Sequence, residues 1–146
     1  MNTKKNSVSV LQVNFDDKKL INKIFEIRNQ VFVVEQNVDS SEEYEFEESS
    51  VHFLLFEDKT PCATARYRKT KKGIKLERFA VLKQYRKKGY GNKILKSILE
   101  ELKDTKDDIY LHAQVQVVDF YKKQGFIKKG ERFLEAGIQH YKMIYN

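Results

Sequence analysis

The stretch from Phe79 to Leu99 constrains this chain more than any other. An apolar run ends at Leu82, and a basic loop carrying Gly89 and Gly91 follows. Ile94, Leu95, Ile98, Leu99 and Leu102 then recur on one helical face. A strand that stops at a glycine-bearing turn and opens directly into a helix aims several backbone N–H groups at one spot. The positive end of the helix dipole lies at the same spot. Such a turn is an anion cradle, and Arg86, Lys87 and Lys88 make this one more attractive to phosphate. The spacing is neither the GxGxxG of dinucleotide sites nor the GxxxxGK of nucleotide-triphosphate loops. It is Arg-x-x-Gly-x-Gly.

Size and charge narrow the partners. The 146 residues suit a single domain over 1–146, and 40% hydrophobic content with 8 tyrosines and 10 phenylalanines predicts a folded core. The net charge of +7 invites a nucleic-acid reading. However, the bases gather at 68–75, 83–93 and 122–132, whereas 35–48 is acidic, and a nucleic-acid binder more often spreads one sign along one face. Nucleic acid is therefore disfavoured, and a phosphate-rich small molecule suits a positive cleft. A single cysteine, Cys62, excludes an internal disulfide and a clustered thiol site. His52, His112 and His140 lack close ligand spacing, so no metal is expected. No apolar leader and no run of membrane-spanning length is present, which predicts a cytoplasmic protein without a membrane partner.

Along the chain, residues 8–13 alternate as a first strand. Asp16 or Asp17 can cap a helix in which Leu20, Ile21, Ile24, Phe25, Ile27, Arg28, Val31 and Phe32 recur at helical spacing. The acidic segment 35–48, with Tyr44 and Phe46 among its carboxylates, reads either as a solvated loop or as a cleft wall selecting a cationic acceptor. Three antiparallel strands at 51–56, 62–68 and 74–82 then feed the glycine loop through turns at 58–61 and 71–73. A buried-type strand at 109–113, a helix over 115–123 ending before Gly125, a strand from 126 and a last strand at 138–145 complete the order. Two parallel strands joined by a right-handed crossover through the helix are expected beside the loop.

Several motifs now converge. Arg86-x-x-Gly89-x-Gly91 resembles the pyrophosphate loop of the GNAT superfamily of acetyl-CoA-dependent N-acyltransferases, and Phe120-Tyr121-Lys122-Lys123-Gln124-Gly125-Phe126 resembles its FYxKxGF signature. Segments 27–36, 111–114 and 133–140 resemble its ElaA-like and YjcF-like branch. The resemblance spans nearly the whole chain. It implies an α/β (α+β) fold with a mixed, mostly antiparallel sheet and a central strand–loop–helix–strand cofactor-binding unit.

The resemblance also implies a site. Phe79, Ala80 and Val81 would meet the pantetheine arm of acetyl-CoA through their main chain, and backbone groups across Arg86, Lys87, Lys88, Gly89, Tyr90 and Gly91 would hold the pyrophosphate. Phe120 falls beside the cofactor in the second signature, and Gln114 stands where many members carry an asparagine that contacts it. Tyr121 would protonate the departing thiolate, since a phenol stays protonated at neutral pH. For the base, Glu77 shares strand parity with Phe79 and Val81, and His112 on the next strand is the alternative. Glu135 and His140 lie near the closing strand, where the branch resemblance leaves substrate-side contact open. The expected reaction moves an acetyl group to a primary amine of a small molecule or peptide by direct transfer in a ternary complex, releasing CoA. A non-catalytic acyl-CoA-binding module and a basic nucleic-acid binder are the competing readings. A monomer or homodimer is expected.

Overall fold

A computed structural model describes residues 7–37 and 45–146. Its eight strands are β1 (Val8–Val13), β2 (Val51–Glu57), β3 (Thr60–Thr70), β4 (Gly73–Val81), β5 (Ile109–Gln114), β6 (Phe126–Lys128), β7 (Phe133–Glu135) and β8 (Ile138–Tyr145). The helices are α1 (Lys18–Arg28), α2 (Tyr90–Glu101) and α3 (Val118–Lys123). The sheet runs β1-β2-β3-β4-β5-β8-β6, with β7 added on β8. Among the described residues only β4 and β5 pair in parallel, as the strand–loop–helix–strand reading requires. The mixed, mostly antiparallel architecture expected from the sequence is the one observed.

Both faces of the sheet are covered. On one, Ile94, Leu95 and Ile98 of α2 are fully buried against Phe53, Leu55, Ala63 and Leu76, each contributing roughly 2 kcal/mol by burial. On the other, Ile21, Ile24 and Ile27 of α1 pack on Val13, Leu54 and Ala80. Asp17 caps α1 by accepting from the Leu20 N–H at 3.2 Å. Gly73 lets β4 start tight against the β5 side, because a Cβ there would lie 2.2 Å from the Asp108 carbonyl oxygen.

Three local departures from the sequence reading shape the site. First, the α1 helix does not run uniformly to Phe32. From Asn29 to Glu35 the chain widens into a π-helical segment, and the Gln36 N–H closes on the Val31 carbonyl at 3.0 Å. Single π segments of this kind re-aim side chains that a regular helix would place elsewhere. Second, β4 is bulged. Thr64 opposes Ala80 but Arg66 opposes Glu77, so Arg78 and Phe79 together face Ala65, and Arg78 turns to φ 59°. The bulge inverts the alternation. Leu76, Phe79 and Val81 pack on the α2 side, whereas Ala80 packs on the α1 side. Glu77 therefore points away from the face of Phe79 and Val81, and the expected shared parity is broken. Third, β7 is a strand the sequence reading lacks. It is only three residues long and folds onto β8 through a two-residue turn, Ala136–Gly137. Both turn residues have positive φ, 51° and 74°, which matches the right-handed twist of a hairpin.

Candidate active site

The β4–β5 pairing stops after Ile74–Leu76 meets Ile109–Leu111. Beyond it the strands part, and Glu77–Val81 and His112–Gln114 become opposite walls of a cleft of about 720 Å³. Val31, Phe32, Glu35 and Gln36 from the π segment close one side, and Gly91, Phe120 and Tyr121 close another. The β4 edge facing this gap has no ladder partner among the described residues, so its backbone groups are available to a ligand.

The glycine loop lies at one end. After a single 3₁₀ turn at Lys83–Tyr85, the backbone passes through φ 66° at Lys87 and φ 78° at Gly89, then opens α2. Among the described residues no side chain caps α2 and none claims its first-turn N–H groups. A Cβ added to Gly89 would meet nothing within 4 Å, and one on Gly91 would project into the cleft beside Phe120 and Val81. Uncapped N–H groups, open space over Gly89 and an unpaired strand edge together fit a pyrophosphate with an extended arm.

Arg86 and Lys88 of the loop are paired with carboxylates from other elements. Arg86 donates to the Val81 carbonyl at 2.9 Å and forms a bidentate pair with Glu35 at 2.6 and 2.7 Å. The Arg86 hydrogen bond holds the Glu35 carboxyl below its usual range. Lys88 and Tyr90 both bind Glu57, Lys88 at 3.0 Å. Tyr90 is buried in the α2-side core, outside the cleft lining. Gln114 donates to Gln36 at 3.1 Å and accepts from Gln116 at 2.6 Å, tying β5 to the end of the π segment.

Tyr121 stands deep in the cleft wall, its ring edge-on to Phe79 at 5.8 Å and to Phe120 at 5.0 Å. Burial pushes its phenol up, so it keeps its proton across the physiological range. The hydroxyl makes no hydrogen bond to any described residue.

The opposite face of the gap is charged. Glu77 accepts from Arg66 at 2.8 and 3.1 Å and from Arg68 at 2.6 Å, with Lys75 at 3.3 Å. Burial works to raise its carboxyl, but Arg66, Lys75 and Arg78 outweigh burial and bring it down to about 2. A carboxylate this well paired is a poor proton acceptor near neutrality. Arg66 also binds Glu47, which holds Arg28, so one ionic chain runs from α1 to β4 beneath the site. His112 faces Glu135 at 3.1 Å, and Glu135 reaches toward His140 at 3.7 Å. Chiefly through the His112 hydrogen bond, and against burial, the Glu135 carboxyl lies below its usual range.

The acidic segment resolves into specific pairs where it is described. Glu35, Glu45 and Glu47 each face an arginine of this chain, Glu45 reaching Arg78 at 3.6 Å. Asp39, Glu42, Glu43 and Tyr44 lie outside the described residues. His52 is buried, with Nε2 donating to the Glu47 carbonyl at 2.9 Å and Nδ1 without a partner among the described residues. Cys62 is buried and bonded to the Thr60 carbonyl at 3.1 Å, away from the cleft lining. Among the described residues, no cluster of three His, Cys, Asp or Glu has metal-holding geometry.

The family described as the acetyltransferase (GNAT) domain matches residues 12–146. The chain belongs to the GNAT acetyltransferases. It is therefore a GNAT-type acyltransferase of the acetyl-CoA-dependent class. The Bacillus subtilis N-acetyltransferase YjcF, itself uncharacterized, is 40% identical over 123 residues, covering 82% of this chain and 88% of that protein. The Escherichia coli ElaA crystal structure superposes with a TM-score of 0.80 at 23% identity, over 96% of this chain and all of that one. The Thermoplasma acidophilum PaiA N-acetyltransferase, solved in complex with coenzyme A, gives 0.69 at 16% identity over 95% and 98% of the two chains. Both structural likenesses concern the fold. In this GNAT chain no described helix is long and apolar enough to cross a membrane.

What sequence reasoning missed is the π-segment contribution of Phe32, Glu35 and Gln36, and the cations around Glu77. Arg66 and Arg68 alternate on β3 opposite Glu77 and Lys75, so the charge pattern was readable once the register was known.

Proposed function

We propose that this GNAT protein acetylates a primary amine of a small molecule or peptide by direct transfer, with donor and acceptor held together in one cleft. The supporting observation is that Tyr121 and His112 line the same gap that begins at the uncapped α2 N-terminus. When bound, acetyl-CoA supplies an activated acetyl thioester and a thiolate leaving group. Backbone groups from Arg86 to Gly91 would bind its pyrophosphate, and the free edge of Phe79–Val81 its pantetheine arm.

His112 takes the role of base. Its Nδ1 is engaged by Glu135, whereas Nε2 makes no hydrogen bond to any described residue. Nε2 thus has a lone pair to accept the ammonium proton of the acceptor. Tyr121 holds a proton at Oη on the facing wall for the leaving group. Phe79, Phe120 and Phe126 fix its ring and keep water from it. Main-chain positioning of the donor and side-chain proton handling then act together, the larger effect being proximity.

The test is a thermal shift with acetyl-CoA, CoA and heparin, followed by a thiol-release screen across polyamines, aminoglycosides, lysine and peptide amines. A ligand bound only by the folded chain raises the melting temperature. Stabilisation by acetyl-CoA beyond heparin, with amine-dependent thiol release, is expected. A heparin shift without an acetyl-CoA shift would overturn the reading.

A further inference from the structure

We propose that Glu135, carried on the β7–β8 hairpin, is the positioning residue that sets the tautomer and aim of His112. This inference rests on the reading of His112 as the base.

Glu135 is acceptor-only as a carboxylate, so the atom facing it at 3.1 Å, His112 Nδ1, must be the donor. The neutral ring then has its lone pair on Nε2, and the ring lines the cleft. A base requires this tautomer.

The hairpin holds the ring from two further directions. Phe133, two residues before Glu135 on β7, meets the His112 ring edge-on at 4.9 Å. The same Phe133 stacks on His140 at 5.9 Å and 23°. His140 is itself pinned, its Nδ1 donating to the Ile138 carbonyl at 2.7 Å, which leaves Nε2 toward Glu135 at 3.7 Å. Alternation along β7 places Phe133 and Glu135 on one face, and the Ala136–Gly137 turn fixes the register that brings both over β5.

The charged groups around the ring are consistent with one carboxylate serving it. Lys75 on β4 lies 3.9 Å from Glu135 and 3.3 Å from Glu77. Glu77 is itself held by Arg66 and Arg68. Lys142 on β8 opposes His112 in register, but its ammonium sits over the Tyr110 ring at 4.9 Å. No other acidic side chain is bonded to His112 among the described residues.

The test reads the ring directly. Full-length protein with ¹⁵N-labelled histidine is examined by long-range ¹H–¹⁵N correlation, His112 being assigned by its loss in His112→Asn. In the neutral wild-type ring the proton is expected on Nδ1. Glu135→Gln, whose amide oxygen still accepts, is expected to keep it there, and Glu135→Ala to release it to Nε2. In parallel, thiol release with the best amine of the screen should show kcat reduced about 10- to 100-fold in Glu135→Ala. The KM for acetyl-CoA should stay unchanged, with substantial rescue in Glu135→Gln. A wild-type proton on Nε2, which requires no variant to observe, would overturn the proposal. So would an identical tautomer in wild type and Glu135→Ala. If the tautomers behave as expected but His112→Asn turns over like wild type, the positioning stands and the reading of His112 as base fails.

Discussion

The two ends of the cleft are built by different means. The end proposed for the donor is one continuous run, Arg86 to Gly91, in which Arg86 is paired with Glu35 and Lys88 with Glu57. The end proposed for the acceptor is a convergence of side chains from β4, β5, β7 and β8, with Glu77, His112, Glu135 and His140 all lining the gap. A main-chain cradle needs only the right residues in sequence, because glycine spacing and a helix start create it locally. A side-chain site depends on register, and one bulge or one short hairpin changes which residues meet.

This contrast can be broken or sharpened by substitution. The largest effects should come from the proton-handling groups: His112→Asn and Tyr121→Phe are each expected to lower kcat by about 10²-fold or more. The affinity for acetyl-CoA, measured by calorimetry, should remain. A Tyr121→Phe rate equal to wild type would mean that solvent or another group protonates the thiolate.

Next comes the ionic support. The Glu77 carboxyl titrates at about 2 in the folded chain against the usual 4.5. Its contribution is therefore complete above pH 4.5 and is lost as pH falls toward 2. Glu77→Gln should cost on the order of 3 kcal/mol at pH 7 by urea denaturation, since Arg66 loses a buried partner. The difference from wild type should shrink on acidification. A cost that does not change between pH 7 and pH 3 would show that the charge is not what matters.

At the donor end, Gly89→Val should weaken acetyl-CoA binding roughly 10- to 100-fold, because a branched residue disfavours φ 78° and a side chain crowds the cradle. Unchanged affinity would remove the backbone cradle from the account. The smallest effect concerns the hairpin. Ala136→Gly relieves a positive φ of 51° and should raise stability by about 0.5–1 kcal/mol, visible as a small rise in melting temperature.

How legible each part was follows from the range of the interaction. Ile94, Leu95 and Ile98 are buried together because helical periodicity is local, and Asp17 caps α1 for the same reason. Glu77 was misread because strand parity presumes an unbroken ladder, and the bulge at Arg78–Phe79 lies in the pairing with β3. Arg86 was correctly placed in the loop, yet its guanidinium is engaged by Glu35, 51 residues away. The three-residue β7 carried no periodicity long enough to detect, although Gly137 marks its turn.

Sequence alone therefore determined the order of the longer strands and helices, the family, and the glycine loop before α2, since each is encoded by neighbours in the chain. Tertiary structure decided the opposite end: which carboxylate is paired with arginines, and which histidine faces Glu135 across the sheet. Those outcomes depend on strand register and on charges brought together across the sheet, and neither is a property of any contiguous segment.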